Sequence, residues 1–289
     1  MVAPQTVTEP AELLSYLFAS LPGTKKKQVR TWLKYQAVTV NGRPVTQFNH
    51  PLTPGDVVAI HTGRYAAPET KLSSGIRIVF EDAAIVVIDK PENLLSIASE
   101  AEGEKTAYFQ LTEYLRRNKA RSRERIWVVH RLDRETSGLM VFAKTPEAKH
   151  ALQSRWSEAE KCYEAVVEGC LQEDRGTFES YLDESNPFKV FVVPRSQEAR
   201  HAITHYRVLK TARGRSLVAL TLETGRRHQI RVQLAHAGCP IVGDEKYDAK
   251  TNPAHRLGLH AGSLRFPHPQ TGKELHFESP LPKELARLV

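Results

Sequence analysis

The sequence predicts an α+β protein in which a large mixed sheet with few helices follows a small unit of two helices and a hairpin. Three observations carry this. Short apolar runs recur beyond residue 76, at 84–88, 139–143, 163–167, 189–193 and 216–222. Helical patterns are a minority over the same stretch, which is the mark of a sheet-dominated α+β domain. In the first 63 residues the balance is reversed, with two amphipathic stretches ahead of a tight turn.

The elements follow in order. Residues 11–21 (AELLSYLFASL) have the apolar spacing of an amphipathic helix, and Pro22-Gly23 breaks it. Residues 25–34 predict a second helix, with Val29, Trp32 and Leu33 on one side. Lys25, Lys26, Lys27, Arg30 and Lys34 make its other face basic and suited to phosphate contacts. Residues 37–45 read as strand, Asn41-Gly42 turn and strand, a strong hairpin signal. Pro54-Gly55-Asp56 is a further turn, and the strand 57–60 closes a first domain at 1–63. Residues 64–75 lack periodicity and end in Ser-Ser-Gly, as a linker does. The larger domain spans 76–289. It holds one helix near 105–118 and another opened by Thr145 as cap, Pro146 at the first position and Glu147 in the first turn.

Composition narrows the function classes. The 289 residues are 40% hydrophobic and 26% charged, within the ordinary globular range. No apolar run approaches the ~20 residues that span a bilayer, and the N-terminus lacks a secretory signal, so no membrane role is expected. Three cysteines (Cys162, Cys170, Cys239) form neither a disulfide framework nor a zinc-binding pattern, which points to the cytoplasm. No phosphate-binding loop, dinucleotide fingerprint or H-E-x-x-H occurs, and no metal or other cofactor is expected. The net charge is +8, and a polyanion such as RNA is the first candidate partner.

Two segments concentrate chemistry-bearing residues. The first is His130-Arg131-Leu132-Asp133-Arg134-Glu135-Thr136-Ser137-Gly138, a polar loop held between apolar runs. The basic run 116–125 precedes it, with six cations and one glutamate, and reads as an arm that delivers RNA to Asp133. The second is Thr224-Gly225-Arg226-Arg227-His228-Gln229-Ile230-Arg231-Val232-Gln233-Leu234. Alternation of Ile230, Val232 and Leu234 with polar residues sets Arg231 and Gln233 on one face of a strand, while a helix over 229–237 stays open. In either form, an arginine among apolar neighbours calls for a carboxylate partner.

Both segments closely resemble the signatures of the RluA-type pseudouridine synthases. The resemblance extends to Ile85-Val86-Val87-Ile88-Asp89-Lys90-Pro91, to Lys161-Cys162-Tyr163, to Ile241-Val242-Gly243-Asp244 with Tyr247, and to Leu257-Gly258-Leu259-His260-Ala261. It runs from about residue 76 to the end. Residues 1–63 resemble an S4-like RNA-binding module through the two helices, Val38-Thr39-Val40-Asn41-Gly42 and Gly55-Asp56-Val57-Val58, although Ala11-Glu12-Leu13 replaces the usual Arg-Leu-Asp opening.

The resemblance implies a mainly antiparallel pseudouridine-synthase sheet with flanking helices. It implies a cofactor-free isomerase that converts uridine to pseudouridine in structured RNA by flipping the base. Asp133 matches the catalytic aspartate. Tyr163 matches the tyrosine that packs on the base and is a candidate for the C5 proton transfer. Arg231 matches the arginine paired with the aspartate, and Arg131 an arginine near the flipped nucleotide. Thr136, Arg226 and His228 complete the expected substrate-binding set. Arg227 and Asp248 depart from the family pattern. Ribosomal RNA is favoured over transfer RNA as substrate, with a monomer and no obligatory protein partner. Two other readings stay open on sequence: a non-catalytic RNA binder, and a hydrolase using Glu135 as second carboxylate.

Overall fold

Strand alternation and a left-handed turn build the first unit. The computed structural model describes residues 2–34, 37–60, 70–72, 74–97, 106–117 and 125–289. Val2–Thr6, Val57–Ile60, Val38–Val40 and Arg43–Pro44 form an antiparallel sheet in that spatial order. Asn41 and Gly42 both have positive φ, the geometry of a two-residue hairpin turn. Helices α1 (Leu13–Ser20) and α2 (Lys26–Lys34) bury Leu13, Leu17, Val29, Trp32 and Leu33 against Val38, Val40, Val58 and Ile60. Helix α1 starts at Leu13 because Ala11–Glu12 pairs with Pro51–Leu52 as a short strand.

The rest of the described chain is dominated by a twelve-stranded sheet. Ten strands run in the order Phe191–Val193, Arg175–Asp183, Arg200–Ala212, Arg215–Leu222, Glu160–Glu168, Leu259–Pro267, Ser137–Ala143, Ile85–Lys90, Arg77–Glu81, Thr70–Lys71. Trp127–Val128 adds to Ser137–Ala143, and Glu274–Glu278 to Leu259–Pro267. All described pairs are antiparallel except Ser137–Ala143 with Leu259–Pro267. The expected mixed, mainly antiparallel sheet is therefore observed.

The sheet is covered unevenly. Around its Ile85–Lys90 strand both faces are buried, which is why Ile85 to Ile88 read as an unbroken apolar run. Ile85 and Val87 pack with Leu152 of α4 (Pro146–Ser154). Val86 and Ile88 pack with Leu111 and Leu115 of α3 (Ala107–Arg117) on the opposite face. The cap of α4 forms as expected, with Thr145 Oγ1 accepting from Ala148 N at 3.1 Å. The Arg215–Leu222 strand alternates between buried and half-buried residues, and its inner face packs on α5 (Gln229–His236). Helix α6 (Lys283–Ala286) seals the C-terminus by burying Leu285. No described helix is long and apolar enough to cross a membrane.

Helix α5 corrects the strand reading of 230–234. Gln229 to Leu234 are all buried, so no solvent-facing stripe betrays the helical period. Arg231 and Gln233 diverge instead of sharing a face. Gln233 bonds to Thr204 Oγ1 at 2.6 Å and Ser180 Oγ at 2.9 Å, while Arg231 reaches a different cluster. Two sequence expectations fall outside the described residues: 118–124 of the basic run, and 64–69 with 73 of the linker.

Candidate active site

The loop 130–136 is held at several points before it carries any chemistry. Ser96 Oγ donates to Leu132 O at 2.6 Å and accepts from Leu132 N at 3.1 Å. Lys90, with no exposure, donates to the carbonyls of Pro91, Leu94 and Arg134 at 2.9, 2.8 and 3.1 Å. Burial pushes the Lys90 pKa down to about 7, against the pull of the Asp133, Glu135 and Glu92 charges. His130 accepts from Val141 N at 3.1 Å and stacks on Trp156. Burial, aided by the Lys161 charge, lowers its pKa to about 3, so it is a neutral scaffold residue. At the loop's exit Gly138 has φ of +117°, and a Cβ there would lie 2.3 Å from the Ala261 carbonyl oxygen. Only glycine admits this parallel crossing.

Asp133 comes to rest beside Arg231, although Arg231 has a stronger partner. Arg231 Nε and Nη2 each donate at 2.7 Å to the two carboxylate oxygens of Asp244. Both side chains are almost wholly buried. This two-pronged contact fixes the guanidinium plane. Its remaining nitrogen, Nη1, lies 3.2 Å from Glu135 Oε2 and 3.5 Å from Asp133 Oδ2. The expected pairing of Arg231 with Asp133 is thus a secondary contact, since one planar cation serves three carboxylates. Burial works against the Arg231 charge, but Asp244 and the other acids raise its pKa above the ordinary arginine value. Burial also opposes ionisation of Glu135. Its own backbone amide and the charges of Arg231, Lys246 and His228 still hold Glu135 below the ordinary glutamate value.

A cavity of about 80 Å³ opens at Asp133. Tyr163, Leu222, Ile230 and Leu259 wall it, while Arg131 and Arg226 stand exposed at its rim. Thr136 also lines it, and is buried. Tyr163 sits where the pairing of Glu160–Glu168 with Leu259–Pro267 shifts register, and such an irregularity re-aims a side chain. Burial and the neighbouring Asp133 charge push the Tyr163 phenol well above its ordinary pKa, so it keeps its proton. His228 adopts a left-handed conformation at the start of α5. Its Nδ1 is 2.9 Å from the Tyr247 hydroxyl. Burial lowers its pKa against the Asp133 charge, with Arg231, Lys246 and Arg227 adding to the fall. A second cavity of about 320 Å³ adjoins on the other side of Asp133, between Leu95, Ser96 and Ile97 and the cations Arg131, Arg134, Arg227 and Lys246.

The structure therefore brings Asp133, Tyr163, Arg231, Arg131, Thr136, Arg226 and His228 to one cavity. Lys25, Lys26, Lys27 and Arg30 belong to the first unit and stand in solvent along α2. The Lys26 ammonium and Arg30 guanidinium lie 5.5 and 5.9 Å from the Phe18 ring. Lys34 ends α2, and its side chain lies outside the described residues. Sequence reasoning missed Asp244, Tyr247 and Lys90 as members of the site. Each stood in a motif, but an Asp after Gly reads as a turn former, and a long-range ion pair leaves no local spacing. Among the described residues no group of three His, Cys, Asp or Glu side chains is arranged to hold a metal ion, the three acids around Asp133 being gathered on Arg231.

Comparison with known proteins agrees with this fold. The RNA pseudouridylate synthase family model matches residues 84–236, and the S4 domain model matches residues 13–58. The uncharacterized RNA pseudouridine synthase YlyB of Bacillus subtilis is 32% identical over 271 residues, covering 91% of this chain and 88% of its own. Ribosomal large subunit pseudouridine synthase D of Escherichia coli (strain K12) is 32% identical over 296 residues, covering 93% and 86%. The solved structure of human RNA pseudouridylate synthase domain containing 4 superposes with a TM-score of 0.62 at 27% identity, covering 73% of this chain and 92% of that one. With an S4 domain ahead of that sheet, the chain belongs to the RNA pseudouridylate synthase family, the isomerases that convert uridine to pseudouridine in RNA.

Proposed function

We propose that this enzyme modifies uridine in large-subunit ribosomal RNA, with Asp133 as its catalytic carboxylate. The ribosomal assignment is supported by relatives named for that RNA and by the S4 domain. Residues 1–63 serve as the RNA-binding domain and 76–289 as the catalytic domain; of the linker expected at 64–75, Thr70–Lys71 instead pairs with Arg77–Glu81 as the edge strand of the catalytic sheet. The enzyme works as a cytoplasmic monomer, without membrane or obligatory protein partner.

One observation carries the catalytic reading. Asp133, the one carboxylate lining the cavity among the described residues, faces the Tyr163 ring and the cations Arg131 and Arg226, and lies 3.5 Å from a guanidinium whose orientation is locked elsewhere. The reaction breaks the N1–C1′ bond of uridine, turns the uracil and forms a C5–C1′ bond. C5 then loses its proton and N1 gains one, so no net oxidation occurs and the reading includes no cofactor. Asp133 acts on the reacting nucleotide. Arg231 stabilises its charge from a fixed position, and a preorganised cation has no reorganisation to undergo during reaction. Unstacking the target base costs a few kcal/mol. The Tyr163 ring offsets part of that by lying against the base, and Arg131 by occupying the rim. Tyr163, protonated at rest, can take the C5 proton only as its own hydroxyl proton passes to the neighbouring Asp133 carboxylate, from which N1 of the isomerised base is reprotonated. Thr136, Arg226 and His228 line the approach to the cavity. Lys25, Lys26, Lys27, Arg30 and Lys34 contact phosphates at a distance from the chemistry.

The test is tritium release from ribosomal RNA labelled at uridine C5. Wild-type enzyme releases tritium, whereas Asp133→Ala releases none and still binds the RNA. Equal loss of binding and release in Asp133→Ala would overturn the catalytic assignment.

A further inference from the structure

The segment 184–190 joins Arg175–Asp183 to Phe191–Val193 and carries the most exposed large hydrophobic side chain among the described residues. Phe188 is 76% exposed. A lone exposed apolar residue is ordinary. This one differs because its backbone is fastened to the active site. Arg227 Nη1 donates to Pro187 O at 2.6 Å, and Nη2 donates to Glu184 O at 3.0 Å and to Asn186 O. The Arg227 amide donates to Glu184 Oε1 at 2.6 Å. Asn186 Oδ1 accepts from the amides of Phe188 and Lys189 at 2.8 and 3.2 Å. On the far side Val190 N donates to the Tyr247 hydroxyl at 3.0 Å. Arg227 adjoins His228, and the Tyr247 ring lies 5.4 Å from the Arg231 guanidinium. The ring of Phe188 is thus held out on a loop that the reaction site itself braces.

The chemistry around it selects the occupant. Lys189 follows Phe188 directly, its ammonium 3.4 Å from the exposed Asp248 carboxylate, and Arg227 under the loop is also a wall of the 320 Å³ cavity whose lining includes Arg131, Arg134 and Lys246 beside Asp133 and Glu135. An aromatic face among cations, continuous with the surface around Asp133, suits an unpaired base with its phosphates. A protein partner would call for a wider apolar patch.

We propose that Phe188 is a stacking platform for an unpaired base of the substrate RNA near the target uridine, and that the 184–190 loop reads substrate outside the reacting cavity. This rests on the reading that the cavity at Asp133 receives that uridine. Arg227, which departs from the family pattern, then acts as a positioning residue for the platform.

The probe is large-subunit ribosomal RNA transcribed in vitro. Phe188→Ala should weaken binding about 5- to 150-fold, the range for one lost base stack. The loss falls on KM and leaves kcat within about threefold. Phe188→Trp should restore the affinity, and its new indole should be quenched by RNA beyond the response of wild-type Trp32, Trp127 and Trp156. Unchanged affinity in Phe188→Ala, or a new indole that RNA does not quench, overturns the platform. Both readouts are independent of turnover. Tritium release by the wild type reports separately on the isomerase reading, so the two can fail apart.

Discussion

Two regions of this enzyme use positive charge in opposite ways. At the start of α2 and along it, Lys25, Lys26, Lys27 and Arg30 stand in solvent, and the Phe18 ring lies beneath Lys26 and Arg30. Around Asp133, Arg231 and Lys90 are buried, and their donors go to named acceptors. An exposed cation acts at a distance and is screened by salt within about 10 Å at 0.1 M. A buried cation acts by where it is held, because little solvent screens it and each missing partner is costly. Charge on α2 should therefore set how tightly RNA is held, and charge at α5 should set whether chemistry happens.

The largest effect that would sharpen this contrast comes from the buried side. Asp244→Ala leaves the Arg231 charge without its two shortest bonds. Removing one partner of a buried pair costs about 3–5 kcal/mol. Urea unfolding should show a loss of that order, with tritium release falling as Arg231 leaves its plane. A loss under about 1 kcal/mol would mean that Glu135 and Asp133 suffice to hold Arg231, and the contrast between regions would weaken.

A middle effect lies on α2. Replacing Lys25, Lys26 and Lys27 together by glutamine should lower RNA affinity and reduce the log–log salt slope by about 2, at roughly 0.7 per lost contact to single-stranded RNA. Stability should move by no more than about 0.5 kcal/mol, as for other exposed positions. An unchanged slope would remove this face from the RNA interface.

The same division explains what was legible in the sequence. Local signals survived: the Asn41-Gly42 turn, the Thr145-Pro146 helix start and the continuous apolar strand at Ile85 to Ile88 all formed. Helix α5 was only one of two readings of its segment, because a helix buried over Gln229 to Leu234 shows no polar stripe, and its Gln229, Arg231 and Gln233 sit inside with satisfied bonds. Asp133, Tyr163 and Arg231 were marked by motif. Asp244 and Arg227 lay within quoted motifs but their roles were not legible, since one acts through a long-range ion pair and the other through backbone carbonyls of a remote loop.

The smallest effect tests the boundary between the regions, where Glu135 is partly open to water and partly bound to Arg231. A hydrolase would need this second carboxylate as a protonated acid with a raised pKa. The site does the reverse, holding Glu135 below the ordinary glutamate value. Glu135→Gln should accordingly keep tritium release within about tenfold of wild type. The sign of its pH dependence follows from the same shift. A carboxylate whose pKa is depressed on folding stabilises the protein above its unfolded value, near 4.5, and that contribution fades as pH falls through the lower folded value. The wild-type advantage over Glu135→Gln in urea should be present at pH 7, under about 1 kcal/mol given the solvent access, and should shrink below pH 4.5. An advantage that grew on acidification would mean Glu135 is protonated in the folded site, and the acid it could then donate would reopen the hydrolytic reading.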